Sequence, residues 1–109
     1  MKYKAIYDVL EQSHTRISYD GSGWRAARPT YHDLTTPLWI VAEAPKLDLR
    51  LWIIHDSGRL SVSTANTALD SNSRDYYQPR KYFRTQAELA AYLRELLLPQ
   101  EGGVGTCAS

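Results

Sequence analysis

The sequence is poor in cysteine, has no long apolar run and carries no excess of charge. Its single cysteine, Cys107, excludes an intramolecular disulfide and a cysteine-based metal site. No apolar run approaches the roughly 20 residues of a membrane-spanning helix. Thirteen Lys+Arg against 12 Asp+Glu and a hydrophobic fraction of 43% exclude a charge-driven disordered chain. We expect a single domain over residues 1–99 and a flexible, glycine-rich tail at 100–109.

The sequence also lacks the motifs of common enzymes and cofactor binders. It has no His-x-x-x-His, no dense carboxylate run, no phosphate-binding glycine loop and no Gly-x-Ser-x-Gly. The histidines are His14, His32 and His55, and an aspartate follows each of the last two. Neighbours on a strand point to opposite faces, so these pairs do not form a catalytic dyad. We therefore predict a protein that is not an enzyme and that uses no metal and no cofactor.

The near-neutral charge argues against several classes of small protein. The pI is about 7.9, whereas small nucleic-acid modules that bind by charge usually exceed about 9. Ribonuclease toxins need a strongly basic groove, and DNA mimics need a marked acidic excess. A helix-turn-helix regulator needs two adjacent helices, and the pattern predicts one helix. Because the N-terminus lacks the features of a secretory signal, we expect a soluble cytoplasmic protein that does not enter a membrane.

The strongest strand pattern is a hairpin in the middle of the chain. Apolar residues alternate at period two over 47–54, Asp56-Ser57-Gly58-Arg59 predicts a turn, and 60–64 returns. The run at 38–42 is almost continuously apolar, which predicts a strand covered on both faces.

Other segments carry weaker strand signals. Residues 15–19 and 24–28 flank Asp20-Gly21-Ser22-Gly23, and Asp-Gly between alternating runs predicts a second hairpin. A short strand is predicted at 80–84, after a polar loop over 65–78. Residues 3–10 fit either a strand or a short helix, and their aromatic content favours the strand.

One helix is predicted at the end of the domain. Thr85 and Glu88 have the spacing of a capping box, and Pro99 ends the pattern. The apolar stripe of this helix consists of Leu89, Leu93, Leu96 and Leu97. Such a stripe must be buried against the sheet. The predicted fold is therefore α+β, with an antiparallel sheet of about five strands and one C-terminal amphipathic helix on one face.

One segment combines basic and aromatic residues. Its candidate binding residues are Arg74, Tyr76, Tyr77, Arg80, Lys81, Tyr82 and Arg84. Guanidinium groups beside aromatic rings suit single-stranded nucleic acid. They equally suit a protein surface that accepts an acidic partner. A third interpretation is purely structural, with Tyr82 in the core and the arginines as solvated charges on an edge strand.

The predicted sheet contains the large rings of Trp24, Trp39 and Trp52, which are more than one helix is expected to cover. If only one face is covered, Trp52 and Ile54 lie on the other face and form a ligand or dimer surface. We predict a non-enzymatic binding module that acts through a protein interface, with a homodimer as one form. Its size also fits accessory proteins of phages and mobile elements, although no motif is specific to them. The alternatives are single-stranded nucleic-acid binding through 74–84, and a small enzyme or ligand binder with His32 or His55 in a pocket.

Overall fold

A computed structural model describes residues 2–98 of the chain. In this range the helices are α1 (Lys4–Gln12), α2 (Tyr31–Thr35) and α3 (Gln86–Leu97). The strands are β1 (Arg16–Asp20), β2 (Leu38–Ala44), β3 (Leu49–Asp56), β4 (Arg59–Asn66) and β5 (Lys81–Phe83). Two short 3-10 helices lie at Gly23–Arg25 and Pro45–Leu47.

The five strands form one antiparallel sheet in the order β1-β2-β3-β4-β5. With α3 packed on it, this sheet confirms the predicted α+β fold. The central hairpin is also confirmed, with Asp56 paired to Arg59 at its end. Its turn places Ser57 at φ 51° and Gly58 at φ 80°. Positive φ at both central residues matches the right-handed twist of the flanking strands.

Residues 4–10 belong to α1, so the prediction of a strand over 3–10 was wrong. Ile6, Val9 and Leu10 are fully buried at spacings i, i+3 and i+4, which is the periodicity of a helix face. The Ala5 N–H donates to Oε1 of Gln86 at 3.1 Å, which joins α1 to the start of α3. The sheet is therefore covered by two helices lying side by side, and not by one.

The core lies between these helices and one face of the sheet. From α1 and α3 it takes Ile6, Val9, Leu10, Leu89, Leu93 and Leu97. From the strands it takes Leu38, Ile40, Ala42, Leu51, Ile53, Leu60 and Val62. The prediction that both faces of β2 are covered was wrong, because Trp39 on its other face is 40% exposed.

The predicted hairpin around Asp20-Gly21-Ser22-Gly23 was also wrong in its second half. Residues 24–28 do not form a strand, and β1 pairs with β2. The connection that follows contains α2, which begins with a capping box between Thr30 and Asp33. Gly23 lies close to the backbone of Asp33. The segment after β1 therefore packs against α2 and does not return as a strand.

The C-terminal helix begins as predicted, with the Thr85 side chain accepting from the Glu88 N–H at 3.1 Å. The Glu88 carboxylate accepts from the Arg84 N–H and not from that of Thr85, so the capping box is not reciprocal. Within residues 2–98, no helix has the length and apolar character needed to cross a bilayer. The predicted flexible tail and Cys107 lie outside the described residues.

Candidate functional site

The side of the sheet opposite α1 and α3, which we call the open face, is the candidate site. Cross-strand partners point to the same side of a sheet, so the register identifies its members. One row across the face consists of Trp39, Ile54, Ser61 and Tyr82. The next consists of Tyr19, Val41, Trp52 and Ser63. A third consists of Arg16, Glu43, Arg50 and Ala65.

Large aromatic rings stand on the open face in contact with solvent. Trp39 is 40% exposed, Tyr82 is 56% exposed and Tyr19 is 58% exposed. The Tyr19 and Trp39 rings meet edge to face with their centroids 6.5 Å apart, and Trp52 packs against Tyr77 at 5.9 Å. The backbone of Tyr77 bridges to Ala65, which extends the face beyond β5. Rings held in fixed positions on strands lose little entropy when a partner covers them.

At one end of the open face the charges are already paired. Arg16 and Arg50 both form ion pairs with the Glu43 carboxylate. A hydrogen bond from Arg16, together with the nearby charge of Arg50, lowers the pKa of Glu43. Arg16 is exposed and Glu43 is only partly buried, so the pairing fixes side-chain positions more than it stabilises the fold.

At the other end a cleft of about 380 Å³ lies between the β3–β4 turn and β5. We call it the turn cleft; its lining consists of Ile54, Asp56, Ser57, Arg59, Ser61, Arg80 and Tyr82. Nη1 of Arg80 donates to the Ser61 hydroxyl at 3.0 Å. The Arg59 guanidinium stacks on the Tyr82 ring, 4.5 Å from its centroid. In the part of the chain that the structure describes, no carboxylate lies within 4.0 Å of either guanidinium.

The structure divides the residues predicted at 74–84 between different surroundings. Tyr77, Arg80 and Tyr82 belong to the open face, together with the predicted Trp52 and Ile54. Lys81 faces the helix side, with its ammonium group 5.7 Å from the centroid of the Tyr92 ring. An alternating strand sends neighbouring side chains to opposite faces, so the segment is not one continuous surface.

The remaining members of that segment differ in their surroundings. The Tyr76 ring meets the Tyr77 ring edge to face with the centroids 4.7 Å apart, and Arg84 lines a cleft with Arg59 and Tyr82. Tyr76 is buried, and its hydroxyl accepts from Nη1 of Arg50 at 3.5 Å. Arg74 is exposed in the loop before β5, and Arg84 is exposed beyond the end of this strand.

Sequence reasoning missed most of the open face, including its exposed rings Tyr19 and Trp39 and the arginines Arg16 and Arg59. The sequence alone does not show that Trp39 and Trp52 lie on the same face of the sheet. This follows from the register between β2 and β3. A bulge between Ile17 and Tyr19 shifts the pairing of β1, so that Tyr19 stands opposite Val41. These placements depend on pairing between strands, which the sequence pattern does not reveal.

His55 lies on the helix side of the sheet, opposite Leu38 and Leu60. Its Nδ1 is 2.6 Å from the Tyr3 hydroxyl, and the two rings meet edge to face. Burial lowers the pKa of His55, as does the charge of Lys2, while Asp56 opposes the shift. Among residues 2–98, no three His, Cys, Asp or Glu side chains come together as a metal site would require.

The lowered pKa predicts that this histidine makes stability depend on pH. The folded state favours the neutral ring, so stability is complete above about pH 6.5, the unfolded value, and falls as the pH drops through the folded pKa. We expect His55→Gln to lose less stability than the wild type between about pH 7.5 and about pH 5. Urea denaturation at both pH values measures the difference. His32→Gln, an exposed histidine on α2, is the control, and equal losses in all three proteins would contradict the assignment.

Comparison of the chain with family models, curated proteins and solved structures finds no match.

Proposed function

We propose that this chain is a non-enzymatic, cytoplasmic binding module that contacts another protein through its open face. The observation that carries the proposal is the exposure of Tyr19, Trp39 and Tyr82 on one side of the sheet, whose other side is buried under α1 and α3. Aromatic residues and arginine are the types enriched where protein interfaces gain most of their binding energy.

The arrangement of charge favours a different protein over a second copy of this chain. The charged side chains of the open face and its cleft are Arg16, Arg50, Arg59 and Arg80 against Glu43 and Asp56. Arginines outnumber carboxylates by two, so two copies placed face to face would set like charge against like. Electrostatic complementarity therefore favours a partner with acidic character.

Photo-cross-linking tests the proposal in the cells from which the chain derives. A benzoylphenylalanine at position 39 reports on the open face, and one at exposed position 31 of α2 is the matched control. We expect one discrete protein adduct from position 39, absent from position 31. We expect Tyr82→Ser to reduce its yield at least about tenfold, the effect of losing an aromatic anchor of the interface. No adduct, equal adducts from both positions, or only a self-adduct would contradict the proposal.

A second candidate function is the binding of single-stranded nucleic acid. It is favoured by Tyr77, Arg80 and Tyr82 sharing the open face, since rings can stack on bases while a guanidinium contacts phosphate. The same experiment separates the two functions. An adduct from position 39 that nuclease removes would establish nucleic acid as the ligand.

A further inference from the structure

We propose that the turn cleft receives a single aspartate or glutamate side chain of the partner protein. The inference rests on the proposed function, because the cleft forms one end of the open face. It specifies the chemistry of the partner: an acidic side chain next to apolar groups that cover Ile54 and Tyr82.

Arg80 is held in place for such a contact. Its guanidinium donates to the hydroxyl of Ser61, which is only 3% exposed, and this hydroxyl also lies 3.4 Å from the Ile54 carbonyl oxygen. A buried hydroxyl therefore positions one N–H of Arg80 and leaves the others free. An arginine that is held at one end presents the planar fork that binds a carboxylate through two hydrogen bonds.

Arg59 is positioned in a complementary way. The Cζ atom of Arg59 lies over the face of the Tyr82 ring, and no carboxylate of the described chain lies within 4.0 Å of its N–H groups. Stacking of this kind restricts the long side chain before binding and reduces the entropy lost on contact. The cleft thus offers N–H donors from two arginines that have no carboxylate partner in the described chain.

The one acidic group in the turn cleft is already engaged by hydroxyl groups. Oδ1 of Asp56 accepts from the Thr36 hydroxyl at 3.0 Å and from the Ser57 hydroxyl at 3.3 Å. Two arginines and one aspartate leave the cleft with one uncompensated positive charge, which matches one carboxylate. At the far end of the face, Arg16 and Arg50 already share Glu43. Within the described residues of the open face, the arginines without a carboxylate partner therefore lie at the turn-cleft end only, and this disfavours a nucleic-acid strand laid along the face.

Titration with small probes, followed by NMR of the Arg59 and Arg80 Nε–H groups, tests the inference. The carboxylate probe is N-acetylglutamic acid N-methylamide, the uncharged control is its glutamine analogue, and dimethyl phosphate represents a nucleic-acid backbone. At constant ionic strength we expect the carboxylate to bind saturably, with a Kd on the order of 10–100 mM. The glutamine analogue should produce no saturable shift.

Two substitutions test the assignment to these arginines. Arg80→Gln should weaken binding of the carboxylate probe about tenfold or more, since it removes charge-assisted hydrogen bonds. Arg59→Gln is the second variant and should act in the same direction. Arg28→Gln changes an exposed arginine outside the cleft and should leave the affinity unchanged. A carboxylate that does not bind, that binds equally well to the Arg80 and Arg59 variants, or that binds more weakly than dimethyl phosphate would overturn the inference.

The two proposals fail in distinguishable ways. Cross-linking from position 39 reports on the open face without requiring the cleft. If the protein adduct forms while the carboxylate probe fails to bind, the proposal of a binding module is supported and the assignment of the turn cleft is wrong. If neither result is obtained, both proposals are wrong.

Discussion

Leu93→Ala is expected to lower the free energy of unfolding by about 2–5 kcal/mol, the range measured for buried leucines. Leu93 lies in α3 with no exposed surface, and it belongs to the core that joins both helices to the sheet. Alanine is the better helix former, so helix propensity does not explain a loss. The loss would come from the buried side-chain atoms that are removed and the cavity left behind.

Chemical denaturation with one probe of helix content and one of tryptophan environment measures this effect. Leu34→Ala is the matched control, since Leu34 is exposed on α2, and we expect it to change stability by less than about 0.5 kcal/mol. A loss below about 1 kcal/mol for Leu93→Ala would mean that α3 does not contribute to the core as described.

Gly23→Ala is expected to destabilise the protein by about 1–3 kcal/mol, because the added methyl group has no room. A Cβ at this position would lie 2.7 Å from the Asp33 carbonyl oxygen and 2.8 Å from the Asp33 Cα. Backbone atoms cannot rotate away, so α2 must move. Gly21→Ala is the control: its Cβ would meet the Tyr19 ring at 2.9 Å, and that exposed side chain can turn aside.

The effect of Gly23→Ala should extend to the turn cleft. The Ser57 N–H donates to the Thr35 carbonyl oxygen at 2.6 Å, and the Thr36 hydroxyl donates to Asp56. These bonds connect the end of α2 to the β3–β4 turn. Amide chemical shifts of Ser57 should therefore move in Gly23→Ala and stay in place in Gly21→Ala. Unchanged stability and unchanged Ser57 shifts in Gly23→Ala would contradict the close packing of α2.

The elements that the sequence predicted well are those with a single periodicity. In β3, Leu49, Leu51 and Ile53 repeat at period two, and in α3 Leu89 and Leu93 repeat at helical spacing. Each pattern fits only one type of structure, so no tertiary information was needed. The turn between β3 and β4 was predictable because Gly58 accepts a positive φ.

The first helix was mispredicted because its sequence fits two periods. Tyr7 and Val9 extend an alternating pattern, while Ile6, Val9 and Leu10 make a helical one. Tyr3, the N-cap residue that precedes α1, provides no side-chain capping hydrogen bond, so no start signal favours the helix. Contact with α3, about 80 residues away in sequence, decides the conformation.

The candidate site was predictable only in part, for a reason of geometry. Adjacent residues such as Lys81 and Tyr82 were grouped by proximity in sequence, but the strand separates them onto opposite faces. Conversely, Arg59 and Tyr82 are far apart in sequence, and their ring contact exists only because β4 pairs with β5. The prediction of a binding segment at 74–84 therefore identified some residues of the open face but not how far the face extends.

The strand order described above has a consequence for the kinetics of folding. Every strand pairs with its immediate neighbour in the chain, so the loops closed by sheet formation are no longer than the connections over 21–37 and 67–80. The exception is the association of α1 with α3, which brings together residues as far apart as Ala5 and Gln86. We therefore expect assembly of the sheet to carry the smaller loop-closure cost and docking of the helix pair to be the slower, long-range step. Until that step is complete, both faces of the sheet are exposed and the chain is at its most vulnerable to aggregation.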